Sequence, residues 1–334
     1  MRESDLQYLV CPQCRGDLII SSMGVRRGEE IKTARLSCPA CGIDYPVVRH
    51  IPRLVPVENY ASSFGLEWKL HAKTQYDGYT GLKLSEKRFF EETCWERNLR
   101  GQMVLEVGSG SGRFTEQAAS AGAFVVSMDY SNAVEVNYQF NGHKPNVFIV
   151  QADVYQMPFR LGSFDKLFCF GVLQHTPDVR GAFFALPPML KPGGEMVVDV
   201  YKKNLLLTVF STKNYVRWLT LRMEPEYLYR ITKKWVDLMW PVCTIIRKIP
   251  RLGPSINWLL LVADYSRTGL SGDVLKEWAY LDTFDMLSPR YDSPQTISTV
   301  RKWFAEADLV AIEVRDGFNG IEGRGKKPKD AHHE

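Results

Sequence analysis

The stretch VLEVGSGSG, residues 104–112, decides how this chain is read. An apolar run of strand character, with Glu106 set inside it, stops at glycines 108, 110 and 112, and Ser109 stands between the first two. Glycines let a backbone turn sharply and approach a ligand with no Cβ in the way. A helix starting at Arg113 would aim its free N–H groups at that ligand. The dinucleotide fingerprint GxGxxG would need a third glycine at position 113, where arginine stands, so the turn is instead GxGxG preceded by a carboxylate.

Outward from this turn the pattern is regular. QMVLEV (102–107), AFVVSMD (123–129), NVFIVQAD (146–153), FDKLFCF (164–170) and GEMVVDVY (194–201) are apolar runs of strand length. RFTEQAASAG (113–122) and RGAFFALPPML (180–190) between them have helical length. Strands alternating with helices imply βαβ units and a parallel sheet, and near-continuous apolar strands imply that both faces are covered. SPQTISTVRKWFAEA (293–307) predicts a helix capped by Ser293 with Pro294 at its first position. DLVAIEVRD (308–316) and FNGIEGRG (318–325) predict two last strands, seven in all, and the polar tail from Lys326 to 334 is expected to be disordered.

The set of motifs, in order, resembles class I S-adenosylmethionine-dependent methyltransferases of the ubiquinone-biosynthesis type. The carriers are EVGSGSG, Asp129 in VVSMDYS, Asp153 in VQADVYQMPF, SFDKLFCFGVLQHTPD and LKPGGEMVVDV, over roughly residues 60–205 and 285–325. The implied fold is α/β, a Rossmann-like seven-stranded sheet with a helical insert after the fifth strand. The resemblance implies that Glu106, Gly108, Ser109, Gly110 and Gly112 form the turn on the cofactor and that Asp129 receives both ribose hydroxyls. It also implies that Asp153 meets the adenine amino group, with Tyr130, Val154 and Phe170 at the same site. Arg113 is read either as a partner of the methionine carboxylate or as a surface ion pair. Related enzymes lay an N-terminal helix over the cofactor, so FGLEWKLHAKTQYDGYTGL (64–82) is expected to contribute Trp68, Gln75 or Tyr76. His175, after the fourth strand, is a base, a substrate contact or a loop brace. Tyr201 either lines the pocket or is a packed aromatic. An NAD-binding Rossmann domain is the competing fold, disfavoured by the broken fingerprint.

The first 57 residues read as a separate module. CPQC (Cys11, Cys14) and CPAC (Cys38, Cys41) are two knuckles that can close a tetrahedral thiolate site around structural zinc, with unligated thiols or iron as the alternatives. YLVCPQCRGDL and LSCPACGIDYPVVRHIPRLVP resemble a small zinc-ribbon family whose relatives include activator subunits of methyltransferases. Cys94, Cys169 and Cys243 stand apart and are expected to be packing residues. The domain reading is a zinc ribbon at 1–57, a helical cover at 58–101, and a methyltransferase domain at 102–325 with a lid insert at 202–288.

That insert breaks the rhythm, with helices expected to stop at Pro225, Pro241, Pro250 and Pro254. Residues 202–251 hold eleven Lys and Arg against Glu224, Glu226 and Asp237, a local excess of +8 in a chain of net +4. Phe210, Tyr215, Trp218, Tyr227, Tyr229, Trp235 and Trp240 are interleaved. Three readings follow: a plain lid, peripheral membrane contact through 202–251, or nucleic acid, the last less favoured. In a chain of 334 residues, 45% hydrophobic and 24% charged, no apolar stretch of membrane-spanning length and no signal-like start occur, so a cytoplasmic enzyme with reduced thiols is expected. The leading function is methyl transfer to oxygen or nitrogen of a small-molecule, carbohydrate or lipid-linked acceptor. An RNA-base methyltransferase is the second, although FGVLQ stands where an NPPY-like tetrad would, and a non-catalytic cofactor-binding scaffold is the third. The sequence names no acceptor and no oligomeric state.

Overall fold

The N-terminal module is built from short strands, β1 (Ile19–Met23), β2 (Arg26–Arg27), β3 (Glu30–Ile31), β4 (Ala34–Ser37), β5 (Asp44–Val48) and β6 (Ile51–Pro52). Strands β1, β4, β5 and β6 make an antiparallel sheet and β2–β3 a separate hairpin. In this computed structural model residues 1–56, 60–203 and 211–329 are described; Phe210 and the tail from 330 lie outside them.

Each apolar run of the sequence becomes a strand: β7 (Met103–Val107), β8 (Phe124–Asp129), β9 (Val147–Gln151), β10 (Phe164–Cys169), β11 (Leu190–Val200), β12 (Val310–Gly317) and β13 (Gly320–Lys326). The sheet order is β12-β13-β11-β10-β7-β8-β9. The five strands from β7 to β11 are parallel, and β13 returns antiparallel between β11 and β12. The chain leaves β7 towards β8 and β9, then crosses back to β10 on the other side. Strand order therefore reverses between β7 and β10, the place where open α/β sheets take ligands at the carboxyl ends of their strands. Alternate residues feed two cores: Leu105, Val107, Val126 and Met128 face one side, Val104, Val125, Val147 and Ile149 the other. Each fully buried aliphatic side chain contributes about 1.5–3 kcal/mol.

The ribbon has no core of its own. Leu9, Leu18, Ile31, Leu36 and Val47 belong to the same apolar cluster as Leu105 and Phe148. Its exit strand lies along β9, where Arg53 pairs in parallel with Gln151 and the Leu54 N–H reaches the Gln151 carbonyl at 2.9 Å. The ribbon thereby covers an edge that would otherwise expose unpaired backbone groups.

By contacts the chain forms two compact units. One holds Met1–Asn59, Arg88–Lys202 and Tyr291–Glu334; the other holds Tyr60–Lys87 and Lys203–Arg290. The 58–101 segment is thus shared between them, and the insert extends to Arg290. The second unit is helical, with Ser62–Leu70, Asp77–Thr80, Thr212–Thr220, Pro225–Ile246, Gly253–Leu259 and Gly272–Leu287. Val236 and Cys243 pack with Ala279, and Leu228 with Phe284 and Leu287.

Several local expectations are corrected. Pro241 does not end its helix but sits inside a 22-residue one. Its missing donor affects the carbonyl of exposed Asp237, and the stripe Leu228, Thr232, Val236 and Cys243 is buried on both sides of it. Pro225 and Pro254 open helices rather than close them. The helix expected from Ser293 starts at Ile297, capped by Thr296, whose hydroxyl accepts the Thr299 N–H at 3.1 Å. Residues before it are engaged elsewhere: the Ser293 N–H bonds to the Gln174 carbonyl and the Gln295 N–H to that of Tyr201. Lys326 ends a strand, and the Lys327 N–H bonds to the Gly194 carbonyl at 2.8 Å, so the tail is anchored through this point. Cys169 and Cys243 are buried, but Cys94 is exposed, in a left-handed turn with its sulfur against the Arg324 guanidinium.

Candidate functional site

The turn after β7 is held by the Met128 carbonyl, which accepts the N–H groups of Gly108 and Ser109 at 2.8 and 3.0 Å. Gly108 has φ +82°, and a Cβ there would lie 2.1 Å from Val172 in the loop after β10. Gly112 has φ +91°, and its Cβ would meet Asn137 at 2.1 Å. Both glycines are required by backbone conformation and by packing. Arg113 opens helix Arg113–Ser120, its guanidinium 4.4 Å over the Phe114 ring.

Three acids lie at or within two residues of the carboxyl ends of β7, β8 and β9. Glu106 is buried in β7, where its Oε2 accepts the hydroxyls of Thr115 and Ser127 and its Oε1 has no hydrogen-bond partner among the described residues. Burial pushes its carboxyl up to about 7, against the pull of those hydroxyl donors. Asp129 closes β8: Oδ2 accepts the Gly110 N–H at 2.9 Å and Oδ1 accepts the N–H and hydroxyl of Ser131 at 2.8 and 2.7 Å. Burial raises its pKa and these donors oppose the rise. A carboxylate accepts roughly four hydrogen bonds, so Asp129 retains acceptor capacity. Asp153, just past β9, caps the turn Val154–Gln156 by accepting the Tyr155 N–H at 3.0 Å; burial raises its pKa too. Val154 is buried and Tyr130 half-buried beside these acids in the chain.

On the far side of the switch point, Phe170 sits edge-on to Phe114 at 5.3 Å. The Arg88 guanidinium lies 5.3 Å from the Phe114 ring and 5.9 Å from that of Phe170. Arg88 joins Glu92 at 2.6 Å and also Asp199 of β11, whose other oxygen takes the Gly171 N–H. Burial and the Asp199 charge push Glu92 up to about 9 against the pull of Arg88. The spacing of Arg88 and Glu92 in LSEKRFFEET shows a helical pair; the third partner, far along the chain, is invisible in sequence.

His175 is buried in the turn Leu173–His175. Its Nδ1 lies 2.9 Å from the Tyr291 carbonyl, and its ring meets Tyr201 edge-on at 5.3 Å. A carbonyl only accepts, so Nδ1 carries the hydrogen and any proton transfer would fall to Nε2. Gln174, which sequence reasoning missed, is fully buried with neither amide atom hydrogen-bonded among the described residues. The Ser109 hydroxyl is buried and unpartnered in the same sense. Buried polar atoms ordinarily have partners. Glu106, Ser109 and Gln174 lie in β7 and in the loops after β7 and β10, beside the strand-order reversal. Gln75 belongs to the helical unit, buried, with its carbonyl on the Ser85 hydroxyl and its Oε1 unpartnered among the described residues; Tyr76 is buried and Trp68 half-buried there.

The four cysteine sulfurs of the ribbon all lie within 4.8 Å of one another, with Cys11–Cys41 at 3.6 Å and Cys14–Cys38 at 3.4 Å. Zinc–sulfur bonds of about 2.3 Å imply sulfurs roughly 3.8 Å apart in a tetrahedron, so the set fits zinc. The knuckles share a design: the Arg15 N–H returns to the Cys11 carbonyl and the Gly42 N–H to that of Cys38, both residues left-handed. From the first knuckle Arg15 reaches the carbonyls of Met157 and Phe159, following Asp153. From the exit strand Arg53 holds the Gln151 side chain at 2.8 Å, and the Gln151 amide donates to the Tyr130 carbonyl at 3.0 Å. Arg53 also pairs with Glu135 at 2.8 Å. The ribbon thus braces the loops that follow two of the three acids.

Comparison with known proteins matches residues 105–198 to a family described as a methyltransferase domain and residues 6–49 to one described as Trm112p-like protein. The chain carries a methyltransferase domain. All three strand-end acids and His175 fall within it, the four cysteines fall within the Trm112p-like module, and the helical insert lies outside both. A ubiquinone biosynthesis O-methyltransferase of Erwinia tasmaniensis is 29% identical over 168 residues, 48% of this chain and 60% of that protein. A tRNA U34 carboxymethyltransferase of Ruthia magnifica is 33% identical over 107 residues, 30% of this chain and 33% of that protein. The chain therefore spans less than two thirds of either relative. A solved complex containing the Haloferax volcanii Trm112 methyltransferase activator aligns with 80% of this chain and 98% of that chain at 13% identity, with a TM-score of 0.45.

Proposed function

We propose that this chain transfers a methyl group from S-adenosylmethionine to oxygen or nitrogen of a small-molecule, carbohydrate or lipid-linked acceptor. The observation that carries this reading is the row of Glu106, Asp129 and Asp153 at successive strand ends, beside a glycine turn and buried polar atoms without partners among the described residues. In this reading Asp129 takes the ribose hydroxyls, Asp153 and Val154 the adenine side, and the turn from Gly108 to Gly112 with Glu106 the methionine end. Phe170 and Tyr130 supply apolar walls, Arg113 is a further candidate at the methionine end, and Gln75 is kept as a candidate cofactor contact with no end assigned. The cofactor, when bound, supplies a methyl group already activated by the sulfonium charge. The protein's task is then alignment and exclusion of water, with a base only where the acceptor must lose a proton. His175 Nε2 is the candidate base, with Tyr201 beside it; the Nδ1 bond to Tyr291 supports the brace role equally.

The ribbon, in this reading, holds structural zinc and braces the cofactor loops through Arg15 and Arg53. Calorimetric titration of the full chain with S-adenosylmethionine and S-adenosylhomocysteine, with zinc measured on the same sample, tests the reading. Saturable binding supports it. No binding by folded, zinc-loaded protein overturns it and favours a scaffold. An acceptor screen then separates small or lipid-linked acceptors from RNA, the acceptor class suggested by the second relative's name.

A further inference from the structure

We infer that helix Pro225–Ile246 and the turn after it form a docking face for an anionic lipid surface. This goes beyond methyl transfer and rests on the helical unit alone. The helix carries two apolar stripes. One, Leu228, Val236 and Cys243, is buried in its unit. The other, Tyr227, Ile231, Trp235, Leu238, Val242 and Ile245, is exposed, with Leu238 and Ile245 at 70% and 68%. At 3.6 residues per turn these six positions fall within roughly 80° of the circumference. A continuous exposed apolar stripe marks an interaction surface, whereas a scattered set would not.

Charge identifies the occupant. Arg230, Lys234 and Lys248 are exposed and flank the second stripe on the side away from the buried one. The acid that borders that edge, Asp237, is paired with Lys276 at 2.6 Å, and residues 202–251 as a whole carry the +8 excess. A second copy of the same face would set these cations against one another. Nucleic acid would need aromatic platforms at the centre, where Leu238, Val242 and Ile245 are aliphatic. An anionic bilayer satisfies both halves: acyl chains take the stripe and headgroups the basic edge. Trp218, exposed on helix Thr212–Thr220 with the Arg222 guanidinium 5.5 Å from its ring, adds an amphipathic ring of the kind that favours a membrane–water interface. The helix lies on the surface rather than crossing it: among the described residues no helix is long and apolar enough to span.

The test is co-sedimentation of the full chain, without cofactor, with phosphatidylcholine vesicles and with vesicles that also contain phosphatidylglycerol. Binding should require phosphatidylglycerol, blue-shift tryptophan emission and fall in high salt. Lys234→Gln and Lys248→Gln should each weaken it about fivefold. Leu238→Ser with Ile245→Ser should abolish it while leaving thermal unfolding and cofactor titration unchanged, since both side chains are exposed. Equal binding to neutral vesicles, binding unaffected by the serine pair, or a dimer that the serine pair dissolves would each overturn the inference. Because no cofactor is used, its failure is separate from any failure of the methyl-transfer reading.

Discussion

Glu106→Gln offers a direct measure of how costly the buried acid is. In the folded chain burial lifts the Glu106 carboxyl from 4.5 to about 7. Unfolded, it ionises near 4.5. Between these values the folded state binds the extra proton, so stability falls as pH rises. The contribution is fully present below the unfolded value and lost as pH climbs through about 7. The rise from 4.5 to about 7 corresponds to roughly 3 kcal/mol. Glutamine cannot titrate, yet it can still accept one hydroxyl and donate to another at Thr115 and Ser127. Urea denaturation of parent and variant at pH 5 and pH 8.5 reads the effect, because titrating groups that do not interact with Glu106 cancel in the difference. The variant should gain about 2–4 kcal/mol on the parent between the two pH values. A difference that stays constant to within about 0.5 kcal/mol would refute burial as the cause of the raised Glu106 carboxyl.

Asp129→Ala should weaken S-adenosylmethionine binding by about 1–3 kcal/mol in calorimetry, through lost acceptor capacity and loss of the bond that holds Gly110. His175→Ala should leave cofactor affinity nearly unchanged; a fall in kcat at unchanged cofactor affinity supports a base, whereas unchanged turnover leaves it a brace. Cys38→Ser should remove zinc, read by elemental analysis, and lower the melting temperature of the sheet unit rather than of a detached module, because the ribbon shares its core. Arg88→Leu should cost about 3–5 kcal/mol in denaturation by leaving the buried Asp199 charge without its cation, and adding Asp199→Asn should recover part of that.

The strands were legible because their apolar runs are local and satisfy a period that any covered parallel sheet imposes. The glycine turn and the acids were legible because each sits a fixed step from a strand end. The two cysteine knuckles were legible by spacing alone. Pro241 misled because a helix break is a local expectation, whereas burial on either side of the proline keeps the helix continuous. Ser293 misled because its backbone is already engaged by Gln174, far away in the chain.

What the sequence by itself determined is the order of the strands along the chain, the acids at their ends and the thiolate set. Tertiary structure alone decided three things. It placed Asp199 against Arg88, joined the ribbon to the sheet's edge and core, and split the basic helix into a buried stripe and an exposed one. The physical reason is the same in each case. Periodicity marks which faces are apolar, but only the folded chain determines which of them find a partner.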